Sequence, residues 1–169
     1  SFLVLYRYYD RRYQALFWNA FSQGSTVQNE QGVYMGLQLT PIARWKLSIY
    51  ADLFRFPWLK YGIDAPSGGQ EYMAQIDYTP SRNYSAYLRY KYRQKEKNRT
   101  FENDNLLRIN SYKQHRIRFQ QVYNFSSPFI FKTSLDGILF DDPIKKLNKG
   151  IMISQSIGWK PTTLPLQMD

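Results

Sequence analysis

The stretch Trp45–Phe54, WKLSIYADLF, alternates apolar and polar side chains along almost its whole length. Its odd-numbered positions are apolar, and its even-numbered positions from Lys46 to Asp52 are polar or carry a hydroxyl group. A period of two places each set on its own face of a β-strand. The stretch therefore predicts a strand with one apolar and one polar face.

Seven further stretches repeat this alternation on both sides of that strand. Gln121 and Gln155 interrupt the apolar phase in two of them, and a ninth strand would begin in Leu164–Asp169. The seven predicted strands are Phe2–Tyr8, Gly32–Thr40, Tyr72–Tyr78, Tyr84–Arg93, Gln114–Phe125, Phe129–Phe140 and Gly150–Lys160.

The joints between these strands alternate between short and long. Tight turns on one edge and long loops on the other are typical of a barrel of the outer-membrane type. We therefore predict an all-β fold, an antiparallel up-and-down transmembrane β-barrel, with about seven to nine strands in a single segment over residues 1–169. The short joints are Thr40–Arg44, Thr79–Asn83, Ser126–Pro128 and Lys160–Thr163. The long joints are Asp10–Glu30, Arg55–Gln70, Lys95–Asn110 and Asp141–Asn148.

The composition agrees with a barrel and argues against a helical membrane protein. Aromatic residues make up 18% of the 169 residues, which is natural where aromatic girdles mark both membrane interfaces. No run approaches the ~20 apolar residues of a spanning helix. Cysteine is absent, which excludes disulfides and thiol chemistry, and a formal charge of +10 favours anionic partners.

Both ends of the sequence lie in strand-like runs. The chain opens at Ser1-Phe2-Leu3 without a signal peptide and closes at Gln167-Met168-Asp169. We expect the sequence to be a fragment of a larger barrel, truncated at both ends.

Aromatic side chains collect near the predicted strand ends. A ring with an apolar body and a polar edge is favoured at the level of the lipid headgroups. The alternative explanation is that Tyr and Trp are simply good strand formers. The predicted interface aromatics are Trp45, Trp58, Tyr78, Tyr92 and Trp159.

The two phases of the strands predict which side chains face lipid and which face the lumen. The apolar phase would contact acyl chains, and the polar phase would border water. The predicted lipid-facing residues are Leu37, Leu47, Ile49, Leu88, Ile117, Phe119, Leu135 and Ile153. The predicted lumen-facing residues are Lys46, Asp52, Asp77, Arg89, Lys91, Arg93, Arg116, Arg118, Lys132 and Asp136.

The predicted lumen-facing set carries more cations than anions, and two explanations stand. These cations could form a basic constriction that draws anionic solutes, as charged rings do in pores. They could instead belong to an interior network of ion pairs that fills the barrel, which we prefer. The basic run Arg93–Arg99 predicts a solvated loop, with contact to lipopolysaccharide phosphates as the alternative. Cations and most aromatics occupy opposite phases, which argues against a nucleic-acid partner.

The sequence offers little for catalysis or metal binding. His115, the only histidine, lies in the apolar phase and lacks a Ser or carboxylate partner at a catalytic spacing. Asp141-Asp142 precedes Pro143, as a turn would. Ser67-Gly68-Gly69 lacks the lysine of a phosphate loop and predicts only a flexible loop. We therefore expect a non-enzymatic protein without cofactor or metal.

Several runs of the chain are similar to a known group of proteins. They are Arg11-Arg12-Tyr13-Gln14-Ala15-Leu16, Asn19-Ala20-Phe21-Ser22, Asn29-Glu30-Gln31-Gly32, Phe54-Arg55-Phe56-Pro57-Trp58-Leu59-Lys60-Tyr61-Gly62, Gln114-His115-Arg116 and Ser154-Gln155-Ser156-Ile157-Gly158-Trp159. Together they resemble the barrel portion of Bacteroidota outer-membrane proteins described as helix-hairpin-helix domain-containing. The resemblance implies a bacterial outer-membrane location, with further strands and a periplasmic region before Ser1. It carries no catalytic signature and assigns no functional residue.

Two function hypotheses follow. In the first, the protein is a channel or a structural, accessory subunit of an outer-membrane assembly, surrounded by outer-membrane lipids and lipopolysaccharide. In the second, it is a scaffold in a larger envelope transport or secretion complex, with loops such as Arg55–Gln70 docking another subunit. A soluble lipid-binding β-barrel is a more distant alternative.

Overall fold

The structure, a computed structural model, describes residues 1–14, 21–24, 26–101, 104–125, 129–142 and 147–159. Eight of the predicted strands are confirmed, with bounds that differ by a few residues except where noted below. The predicted ninth strand Leu164–Asp169 and the short joints Ser126–Pro128 and Lys160–Thr163 lie outside the described residues. The strands are β1 Phe2–Tyr9, β2 Glu30–Ile42, β3 Trp45–Phe56, β4 Ser67–Ser81, β5 Tyr84–Phe101, β6 Asp104–Asn124, β7 Phe129–Asp141 and β8 Asn148–Trp159.

These strands form one antiparallel sheet in which every strand pairs with the next along the chain. The predicted all-β class and up-and-down order are therefore confirmed. In the described parts of the chain β1 and β8 are the two edges and do not pair with each other, so the sheet is not closed. No helix among the same residues is long and apolar enough to cross a membrane.

The joints alternate in length along most of the sheet, as predicted. β2 and β3 are joined by Ala43 and Arg44, and β4 and β5 by Arg82 and Asn83. The longer joints, at residues 10–29, 57–66 and 142–147, lie at the opposite ends of the strands. Because the strands are antiparallel, the short joints lie at one end of the strands and the long joints at the other end.

The predicted long joint Lys95–Asn110 and the predicted basic loop Arg93–Arg99 are wrong. β5 continues to Phe101 and β6 begins at Asp104, so the described residues of this range form a paired extension of the hairpin. From Gln94 to Thr100 every residue is polar, so both phases are polar and no alternation marks a strand there. Backbone pairing satisfies amide and carbonyl groups whatever the side chains are, and it decides the outcome.

The predicted flexible loop at Ser67-Gly68-Gly69 is also wrong, because β4 begins at Ser67. A Cβ atom on Gly69 would lie 2.6 Å from the carbonyl oxygen of Gln94 and 2.5 Å from the ring of Phe54. Glycine is required at this strand position because a neighbouring ring and the β5 backbone occupy the space of a side chain.

The described residues contain very little apolar core. The accessible surface is 12421 Å², whereas a compact soluble protein of 20.2 kDa exposes roughly 8,800 Å². The buried apolar side chains lie near the strand ends that the long joints connect. They are Val27, Phe54, Phe56 and Ile63.

Most large apolar side chains instead lie exposed on one face of the sheet. The strand register aligns them in rows that cross the strands. One row joins Leu39, Leu47, Ile76, Leu88, Phe119, Leu135 and Ile153 from β2 to β8. This surface is called the apolar face below, and the opposite surface is called the polar face.

Candidate functional site: the polar face of the sheet

The register brings the ten predicted lumen-facing residues onto the polar face. Lys46 lies opposite Asp77, Arg89 opposite Arg118, and Lys91 opposite Arg116. Asp136 lies opposite Arg118 on the far side of β6. Whether this face lines a lumen stays a prediction. The remaining predicted residues, Asp52, Arg93 and Lys132, share the same phase of their strands.

A buried ion cluster occupies the β1–β3 end of the polar face. The Arg7 guanidinium donates from Nε to Glu30 at 2.6 Å and from both terminal nitrogens to Asp52 at 2.7 and 3.2 Å. Glu30 and Asp52 are 0% exposed and Arg7 is 3% exposed. Two carboxylates facing one guanidinium need further donors, because a buried charge is costly unless it is hydrogen-bonded.

The segment Phe21–Gly24 supplies those donors from the first long joint. The backbone amides of Gln23 and Gly24 and the Ser22 hydroxyl donate to Glu30 at 2.7–3.1 Å. The side-chain amide of Gln23 donates to Asp52 at 2.8 Å, and the backbone carbonyl oxygen of Gln23 accepts from Lys95 Nζ at 2.9 Å. The segment therefore lies across the polar face, from β2 and β3 to β5.

Glu71 on β4 gathers a second cluster and is 3% exposed. Its carboxylate accepts the Tyr50 hydroxyl at 2.6 Å and pairs with Lys91 Nζ at 2.8 Å and with Arg93 Nε. One carboxylate thus serves two cations and a hydroxyl, so positive charge remains in excess around it.

A cleft of about 160 Å³ opens beside this cluster, between β5 and β6. It is lined by Lys91, Arg93, Gln114 and Arg116. Lys91 and Arg116 are direct cross-strand neighbours, as are Arg93 and Gln114. Like charges directly opposite each other destabilise a sheet, so the pair Lys91 and Arg116 lowers stability unless an anion offsets its charge.

The remaining polar-face cations differ in their partners. Arg118 pairs with Asp136 at 2.6 Å, and Arg89 donates to the side-chain oxygen of Gln75 at 2.6 Å. Gln75 in turn donates to Asp77 at 2.6 Å. Arg116 and Lys132 make no ion pair within the described part of the chain.

No protein family, curated protein or solved structure matches this chain. The assignment of a function therefore depends on the geometry alone. The described residues contain no group of three or more His, Asp and Glu residues that could hold a metal ion. His115 lies on the apolar face, where its Nδ1 is 2.8 Å from the Tyr90 hydroxyl.

Aromatic rings gather at two levels of the apolar face. The ring centres of Trp45 and Tyr78 are 4.4 Å apart, near the strand ends that the short joints connect. The second level lies near the opposite strand ends and consists of Tyr72, Tyr92 and His115. The centre of the Tyr92 ring is 5.0 Å from that of His115 and 6.0 Å from that of Tyr72. The other predicted interface aromatics are Trp159, opposite Phe129 at the first level, and Trp58, which lies in the loop at residues 57–66.

That loop exposes Trp58, Leu59 and Tyr61 and half-buries Lys60. The Lys60 ammonium lies 3.5 Å from the centre of the Phe56 ring. Burial lowers the pKa of Lys60 below its usual value, and attraction from Glu30 only partly offsets this effect.

Sequence reasoning missed four groups of the polar face, and a signal existed for three of them. Arg7 is the one charged side chain in β1. Glu30 and Glu71 continue the polar phases of β2 and β4 by one step beyond the predicted ends. No local signal marks Gln23, because its contacts are with strands distant in the sequence.

Proposed function

We propose that this chain forms part of the wall of a bacterial outer-membrane β-barrel that acts as a channel. The apolar face would contact lipid and the polar face would line an aqueous lumen. The tight turns would lie in the periplasm and the long joints outside the cell. This role is non-enzymatic and agrees with the Bacteroidota outer-membrane group that the sequence resembles.

The observation that carries this proposal is the inverted distribution of polar and apolar side chains. Of the side chains that the structure describes, Glu30 and Asp52 are the most deeply buried, whereas Ile151 and Ile153 are exposed. Such a sheet is unfavourable in water, because removing apolar surface from water stabilises a protein by about 25 cal/mol per Å². A soluble lipid-binding barrel needs the reverse arrangement, with an apolar interior.

Strand lengths and aromatic positions support the same proposal. Strands β2 to β8 have 12 to 21 residues, more than the roughly 9–11 residues that span a bilayer and well above the usual strand length of about 5–6. Tyr72 and Tyr78 lie at the two aromatic levels on β4, about 20 Å apart along the strand. Aromatic girdles on both sides of an apolar band are typical of an outer-membrane barrel.

The proposal requires partners for both edges of the sheet. Unpaired backbone groups in hydrocarbon cost several kcal/mol each, so a spanning sheet cannot keep open edges. We propose that β1 and β8 pair with strands other than those described, from this polypeptide or from another subunit.

Lipid contact can be tested with spin labels at neighbouring positions. Labels at Leu47 and Leu88 should be accessible to oxygen from the acyl chains of reconstituted vesicles. Labels at Ser48 and Ser85, on the same strands but in the polar phase, should be accessible to a water-soluble nickel chelate instead. Equal accessibility profiles at all four sites would contradict a membrane-spanning sheet.

Channel activity can be tested by conductance in planar bilayers. The excess of cations on the polar face should give a reversal potential that favours anions. A barrel that inserts but conducts no ions would remove the channel and leave a structural role.

A second candidate function, a scaffold for another envelope protein, is favoured by the loop at residues 57–66. Trp58, Leu59 and Tyr61 are exposed together there, and an exposed aromatic patch is typical of an interaction site. Mild detergent extraction should then co-purify a partner with the wild-type protein. A Trp58→Ser, Tyr61→Ser variant should lose that partner while its conductance is unchanged.

A further inference from the structure

We infer that the cleft between β5 and β6 is a binding site for a phosphate group carried by a soluble solute. The cleft is lined by Lys91, Arg93, Gln114 and Arg116. The inference deepens the proposed function and rests on it in one respect, namely that the polar face borders water.

The charge balance around the cleft is the first argument. Lys91, Arg93 and Arg116 bring three positive charges, and Glu71 is the carboxylate bound to the first two. Glu71 is buried and already accepts from Tyr50, so it has little capacity left for another donor. Among the residues that the structure describes, two of these positive charges therefore remain without compensation.

The strand register is the second argument. Lys91 and Arg116 are direct neighbours across the strands, where the side chains of a like-charged pair repel each other. The adjacent pair of cations, Arg89 and Arg118, is relieved by Gln75 and Asp136. In the described part of the chain Arg116 has no such acid, because Ile138 lies opposite it on β7. A bound anion would supply the missing negative charge.

The donor chemistry is the third argument. Guanidinium groups bind phosphate through parallel N–H donors, and an ammonium adds a compact charge. The Gln114 amide adds a neutral donor at the fourth corner of the cleft. A cleft of about 160 Å³ holds a phosphate group with some of its water, but not a large acidic polymer. Its position opposite the apolar face favours a soluble phosphate over a lipid headgroup.

Calorimetric titration of inorganic phosphate into the protein in a non-ionic detergent tests the inference. Arg116→Gln should weaken phosphate binding about tenfold or more, since it removes a charge-assisted donor. Lys132→Gln is the matched control, because Lys132 is also an exposed cation of the polar face and makes no ion pair with any described residue. It should change the affinity by less than about twofold, because exposed charges more than a Debye length away are screened. Arg116→Lys should bind with intermediate affinity.

Three results would overturn the inference. Wild-type protein could show no phosphate binding at millimolar concentrations, or the two Gln variants could weaken binding equally, which would indicate a diffuse field without a site. A short-chain phospholipid that competes with phosphate would instead assign the site to a lipid headgroup. Spin-label accessibility is read separately, so loss of the site and loss of the membrane assignment give different results.

Discussion

Arg7 is the one charged side chain of β1, and it lies between two carboxylates from β2 and β3. All three side chains are buried, and the cost of burying their charges is offset by their ion pairs and by the donors of the segment Phe21–Gly24. Removing one partner from such a cluster leaves an uncompensated buried charge. The cluster therefore ties the first long joint to the polar face.

Arg7→Met should lower the free energy of unfolding by about 3–5 kcal/mol, because it leaves Glu30 and Asp52 without their cation. Urea-induced unfolding in detergent measures the loss. Arg118→Met is the matched control, since its pair with Asp136 is 36% exposed on the arginine side. Arg118→Met should lower the free energy of unfolding by less than about 1 kcal/mol. Equal losses for both variants would show that burial around Arg7 does not matter.

The lowered pKa of Lys60 should make stability depend on pH at alkaline values. The pKa of an exposed lysine is 10.5, so just below that pH the unfolded chain binds more protons at this position than the folded chain does. The free energy of unfolding should therefore rise with pH in that window. Lys60→Met should flatten this rise in urea titrations over pH. Parallel curves for the two proteins would contradict the assignment.

At the scale of the element, β4 is held closely between its two neighbours. Gly69 lies where the Phe54 ring and the Gln94 carbonyl leave no room for a side chain. Gly137 on β7, by contrast, has no atom within 4 Å of the position that a Cβ would take. The two glycines occupy strands of the same sheet but differ in the space around them.

Gly69→Ala should lower the free energy of unfolding by about 1–3 kcal/mol, because the added methyl overpacks the sheet. Gly137→Ala should leave stability unchanged or raise it by about 0.5 kcal/mol, since alanine loses less backbone entropy. Both values come from urea-induced unfolding in the same detergent. A harmless Gly69→Ala would mean that β5 is not so close to β4.

At the scale of the whole molecule, the apolar face decides which solvent the sheet needs. Ile49 is 41% exposed on this face, and Ser48 beside it belongs to the polar face. The two residues have the same depth along β3 but opposite surroundings. In water, a charge at the exposed position Ile49 would change the free energy of unfolding by no more than about 0.5 kcal/mol.

Ile49→Arg should lower the free energy of unfolding from lipid vesicles by about 2–4 kcal/mol, because the charge would lie near the bilayer midplane. Ser48→Arg should change it by less than about 1 kcal/mol, because its side chain would border water. Equilibrium unfolding from vesicles measures both. Small losses in both variants would be the behaviour of a soluble sheet.

Local alternation by itself determined the strands and the two phases of side chains, because a period of two is a property of each strand alone. The short joints between consecutive strands indicated the antiparallel order. Alternation failed at the start of the predicted joint Lys95–Asn110 and at Ser67-Gly68-Gly69, where no alternation marks a strand and pairing with a neighbouring strand decides the structure.

Only the tertiary structure decided how the polar side chains combine. Glu71 binds two cations of β5, Gln23 crosses from β3 to β5, and Arg116 is left facing Lys91. These contacts join residues 20 to 72 positions apart in the chain. They depend on the register between strands and on the path of a long joint, and neither of these can be read from the local order of side chains.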